Sequence, residues 1–183
     1  MTQPTNFTTD SAVGVDFNQV YTVSASVTPE TPAPPFLLGT TLTGFFGAEY
    51  IFVQASTSIS ANDFLAITGA NQANSLTNTN VAASGGVRIG VAPGAPVVTS
   101  TGIAAQSYFW AALNGATLPG NAIAASTTSN VELYTTAVAG VVSSVTGSSG
   151  VQLGGIIMTL SATANPQTFL LTWPRVVTGT QNP

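Results

Sequence analysis

The chain has 183 residues, 44% of them hydrophobic and only 4% charged, where an ordinary soluble domain carries about 25% charged residues. Lys, His and Cys are absent, and Arg88 and Arg175 stand against Asp10, Asp16, Glu30, Glu49, Asp63 and Glu132 for a net charge of −4. These absences exclude a Ser-His-Asp or Cys-His centre, a Lys nucleophile, a phosphate loop ending in Gly-Lys, a disulfide framework and Cys/His metal ligation in this chain. Two cations are also too few to track a phosphate backbone, so no direct nucleic-acid partner is expected.

No run approaches the length of apolar sequence that a membrane helix needs. The N-terminus lacks the basic and apolar regions of a signal peptide. The expectation is synthesis in the cytoplasm without export, with no membrane partner. Thr, Ser, Asn and Gln take the place of charges on the surface, which leaves strand edges without charged gatekeepers and favours coverage by other chains.

In chain order, Val13 to Val27 alternates at period two, with Val13, Val15, Phe17, Tyr21 and Val23 on one face. This predicts one half-buried strand or two consecutive ones. Residues 29–35 hold Pro29, Pro32, Pro34 and Pro35, a stiff extended spacer. A strand-forming segment on such a spacer has two readings. Either it folds back on its own domain, or it reaches outward and adds a strand to a neighbour; the spacer favours the second. The division is therefore an arm over 1–28, a linker over 29–35, a β domain over 36–175 and a tail over 176–183.

Glu49 to Ala55 is a strand with apolar residues on both faces, and Asp63 to Ile67 is the next. Thr68 to Asn80 reads as a polar loop. Val87 to Val91 alternates with Arg88 outward. Ser107 to Leu113 is a central strand, Tyr108 and Trp110 on one face and Phe109 and Ala111 on the other. Asn114-Gly115 after it predicts a type I′ hairpin returning through Leu118. Further short strands follow near 122–124, 131–135 and 137–142. Val151 to Leu160 contains Gly154-Gly155, suited to a bulge, and Thr168 to Trp173 places Phe169, Leu171 and Trp173 on one face. No amphipathic helix of ten or more residues is found. The sum is an all-β fold, a small antiparallel barrel or sandwich with an extended N-terminal arm.

Little chemistry survives. A carboxylate pair, Glu49 with Asp63 or Glu132, is the one catalytic arrangement the composition permits. The competing reading has these acids at strand ends, accepting hydrogen bonds from turns. Scattered carboxylates form no calcium loop, and no cofactor or metal is expected. Arg175 suits an ion pair, within the chain or between subunits, or an exposed rim. Phe45 and Phe46, between Gly44 and Gly47, suit interface anchors or core packing.

A resemblance adds to this. Gly47-Ala-Glu-Tyr-Ile-Phe-Val-Gln-Ala-Ser56, Tyr108-Phe-Trp-Ala-Ala-Leu-Asn-Gly115 and Val131-Glu-Leu-Tyr-Thr-Thr-Ala-Val-Ala-Gly140 occur in that order. Leu153-Gly-Gly-Ile-Ile157 and Leu171-Thr-Trp-Pro-Arg175 close the series. From about Gly39 to Arg175 the set resembles capsid decoration (cement) proteins of tailed bacteriophages. The resemblance implies a non-enzymatic β-barrel protein on the outside of an icosahedral head. It would bind the major capsid protein, commonly as a homotrimer, and brace the shell. The segment Met1 to Pro35 and the uncharged loop from Asn71 to Val87 depart from that pattern. The expected contact residues with capsid or sister subunits are Val13, Val15, Phe17, Tyr21, Val23, Phe45, Phe46 and Arg175. The main rival is a fibre or adhesin-like head binding a host glycan, which a groove lined by exposed Trp or Tyr would favour.

Overall fold

The structure, a computed structural model, describes residues 15–22, 34–44, 47–83, 87–94, 101–123, 131–145, 149–159 and 165–177. It is all-β, as the alternation predicts. Its elements are β1 (Thr41–Thr43), β2 (Glu49–Ala55), β3 (Phe64–Ile67), β4 (Gln72–Ser75), α1 (Asn78–Ala83), β5 (Arg88–Val91) and β6 (Tyr108–Asn114). They are followed by β7 (Thr117–Gly120), β8 (Leu133–Thr135), β9 (Val142–Ser143), β10 (Gln152–Met158) and β11 (Gln167–Val176).

The first sheet runs β1-β2-β4-β3-β5-β6, and β6 pairs back on β2, so β2, β4, β3, β5 and β6 close a barrel. Closure explains why its strands are apolar on both faces. Ile51, Val53 and Ala55 of β2, Leu65 and Ile67 of β3, and Phe109, Ala111 and Leu113 of β6 fill the interior. The alternate residues Tyr50, Phe52, Phe64, Ala66, Trp110 and Ala112 belong to a second core on the outside of the barrel. Pleating puts successive side chains on opposite sides, and in the middle of β2, β3 and β6 both sides are buried.

A second sheet, β7-β11-β10-β8-β9, lies over part of that outer face. Phe169 of β11 meets Phe64 edge to face, ring centroids 5.1 Å apart. A parallel bridge between Ala122 and Val142 joins the two ends of this sheet.

The Asn114-Gly115 hairpin expected from sequence does not form. β6 and β7 belong to different sheets, because β2 and β5 already occupy both edges of β6. Only Gly115 takes a positive φ, 68°, whereas a type I′ turn needs two. Its N–H donates to the Leu171 carbonyl at 2.9 Å. A Cβ there would press on the Gly47 carbonyl oxygen.

The polar loop expected over Thr68 to Asn80 is also corrected. It contains β4 and the start of α1, with Ala73 and Leu76 fully buried. Thr77 caps α1: the Asn80 N–H donates to Thr77 Oγ1 at 3.2 Å, and the Thr77 N–H donates to Asn80 Oδ1 at 2.9 Å. This is a reciprocal capping box with Asn in place of the usual Glu.

The described part of the N-terminal segment takes the first of its two readings. Instead of a continuous strand through 13–27, residues 17 and 18 turn, and Tyr21 forms an isolated antiparallel bridge with Tyr108. The two residues exchange both backbone hydrogen bonds at 2.8 Å. Phe17 is fully buried, stacked on Tyr50 at 4.4 Å and edge-on to Trp110 at 5.3 Å. Phe36, at the end of the linker, packs on Trp110 and Phe52 at 5.0 and 5.4 Å. The second sheet and these aromatic residues together cover the outer core.

Candidate interaction surface

Of the expected contact residues, Val13, Val23, Phe45 and Phe46 lie outside the described residues. Val15 and Tyr21 are half-buried against the chain's own outer core, and Phe17 is inside it. These three are therefore packing residues of this domain in the structure, not an outward-facing stripe. Arg175 is exposed on β11.

Of the three carboxylates, Asp63 follows the turn-accepting reading. Asp63 is buried; its Oδ2 accepts from the Ser75 hydroxyl at 2.6 Å and the Ser60 N–H at 3.0 Å, and its Oδ1 accepts from Asn121 Nδ2 at 3.0 Å. Burial pushes its pKa above the ordinary carboxylate value, and those three donors offset only part of the shift. It ties the start of β3 to β4 and to the residue after β7. Glu132 accepts from the Tyr134 hydroxyl at 2.8 Å, an exposed pair that raises the phenol pKa. Among the described residues no group of three or more acidic side chains gathers to hold a metal ion. No helix among them is long and apolar enough to cross a membrane.

What the surface does present is apolar. Leu37 is 84% exposed, Trp173 62%, Val138 58% and Val145 57%. Trp173 corrects the sequence reading most sharply, since alternation through Phe169 and Leu171 places it in the core. The cause is the bulge that Gly154-Gly155 foreshadows. Ile156 pairs with Leu171 and Gly154 with Arg175, so Thr172, Trp173 and Pro174 stand opposite Gly155 alone. Gly155 takes φ 73° and Trp173 φ 58°. A Cβ at Gly155 would collide with the Trp173 and Thr172 carbonyl oxygens. The Trp173 N–H donates to Asn114 Oδ1 at 3.1 Å. A bulge re-aims a side chain, and here it turns an indole out of the core.

Comparison with protein-family models, with curated proteins and with solved structures found no match to this chain.

Proposed function

We propose that the protein is a virion structural protein that decorates and stabilises the outside of an icosahedral bacteriophage capsid by binding the major capsid protein, as a homotrimer and without catalysis. The observation that carries this reading is the surface. Leu37, Val138, Val145 and Trp173 are each more than half exposed on a chain with 2 basic and 6 acidic residues. Such a surface is suited to burial against other protein, repeated in many copies so that weak contacts add. The resemblance in the segments from Gly39 to Arg175 supports the choice of a phage head as that other protein.

Gold-labelled antibody against the protein, applied to intact particles of the virus that encodes it, tests the reading. Label spread evenly over heads is expected. Label confined to tails or fibres, or absent from particles, overturns it. Exposure of Trp173 favours one rival, a fibre or adhesin-like head that stacks a host glycan on the indole; tail-restricted label would be its signature.

A further inference from the structure

The N-terminal segment meets the domain as a docked ligand would. Among the described residues β5 pairs with β6 at Val91 and Ala112 alone. The same edge of β6 is therefore open at Tyr108, and Tyr21 takes it with two backbone hydrogen bonds. This is strand addition reduced to one residue pair. Tyr50, Phe52, Tyr108 and Trp110 line the seat. Phe17 stacks on Tyr50 and meets Trp110 edge-on, Tyr21 meets Phe52 at 5.8 Å, and Phe52 stacks on Tyr108 at 6.0 Å. Within 15–22, Phe17 is the one fully buried side chain, so a single ring and a single pair hold the segment down.

Phe17 and Phe36 both touch the Trp110 indole, at 5.3 and 5.0 Å, so the chain leaves that ring and comes back to it. The sequence between them holds Pro29 and Pro32. Proline fixes φ at about −65° and stiffens a linker toward extended conformations. A return to the ring just left works against that preference, whereas reaching an identical seat on a neighbour agrees with it. We propose that the segment is exchanged between copies. Residues 15–22 of one subunit seat on Tyr50, Phe52, Tyr108 and Trp110 of the next, and Phe17 and Tyr21 make there the contacts seen within one chain. The fold-back contact shows which side chains fill the seat; the linker decides whose they are. Exchange of an identical element keeps every contact in the seat, so linker stiffness and the effective concentration of seats set the balance. This rests on the homotrimer part of the capsid reading and names what joins the subunits.

The test exploits a chain with no cysteine of its own. Tyr21 and Tyr108 exchange both backbone hydrogen bonds, and such antiparallel pairs place their Cα atoms about 5.5 Å apart, within reach of a disulfide. Full-length Tyr21→Cys and Tyr108→Cys chains are mixed in equal amounts, refolded together and oxidised, and the bonds are mapped by mass spectrometry. Exchange predicts that about half of the Tyr108→Cys chains become linked through position 108 to position 21 of the other chain, as random assortment of copies requires. Unaltered chain, half of it isotope-labelled, should show the Phe17 ring of one copy against the Trp110 ring of another by filtered NMR, a readout that no substitution can disturb. Exchange is overturned if a Tyr21→Cys/Tyr108→Cys double variant closes its disulfide within one chain, while the mixture gives no link from 21 to 108 and the NMR no contact between copies. Light scattering on the unaltered chain then separates the two readings: a trimer leaves the homotrimer reading standing without exchange, and a monomer removes both.

Discussion

At the scale of single residues, Asp63 and Trp173 do opposite things. Asp63 is a buried charge held by three donors, and its raised pKa means that the folded chain keeps the proton longer than the unfolded one. Its contribution to stability is then greatest below the ordinary carboxylate range and falls as pH rises through its folded pKa. Asp63→Asn should remove that fall, measured by denaturant unfolding between about pH 3 and 8. The same change leaves a donor facing a donor and should cost about 1–3 kcal/mol in the acid range. A variant whose stability keeps the parent's slope would show that Asp63 is not its source. Trp173 is exposed, so its removal should cost little, and its backbone is the strained part. Trp173→Gly, free to adopt φ 58°, should be about 1 kcal/mol more stable than Trp173→Ala. Equal stabilities would mean that the left-handed conformation is not maintained in solution.

At the scale of elements, β2 and β6 were the most legible parts of the chain. Their both-faced apolar pattern follows from a barrel interior on one side and an aromatic layer on the other. Elements defined by long-range geometry were harder to read. Asn114-Gly115 carries local hairpin chemistry, but turn residues hold no information about whether β6 has a free edge. β4 and α1 were hidden because few residues of their stretch, Ala73, Leu76 and Val81 among the described side chains, reach the core, while the Thr77/Asn80 cap reads as loop composition. Gly154-Gly155 did signal a bulge. What it could not signal was that the partner strand would absorb three residues opposite one glycine and so reverse the side on which Trp173 emerges. For the N-terminal segment the alternation was visible and its target was not. Phe17→Ala should cost about 3–5 kcal/mol, since it removes a fully buried ring from between Tyr50 and Trp110. In a chain of this size that is a fall in Tm of roughly 10 °C, readable by calorimetry. An unchanged Tm would mean that residues 15–22 leave the domain in solution and serve as the outward arm.

At the scale of the whole molecule, the poverty of charge unites the parts. With net charge −4 over 183 residues, the proposed association with shells would draw on apolar area and backbone hydrogen bonds, with weak long-range steering. Binding to shells should therefore change less than about threefold between roughly 0.05 and 0.5 M salt, a range over which exposed charge pairs are progressively screened. A much steeper dependence in the co-sedimentation midpoint would point to an electrostatic interface that this surface does not display. A closed barrel, a second sheet over part of its outer face and the rings of Phe17, Tyr21 and Phe36 packed against that face share one outer core. Leu37, Val138, Val145 and Trp173 project from the surface.

The most direct measurement of the central claim is the stability of DNA-filled heads that lack this protein. Heads from virus with its coding sequence deleted should release DNA at a lower temperature than complete heads, and purified protein added back should restore the difference. Heads that keep their DNA equally well with and without the protein, and take up none of it when it is returned, would contradict the account.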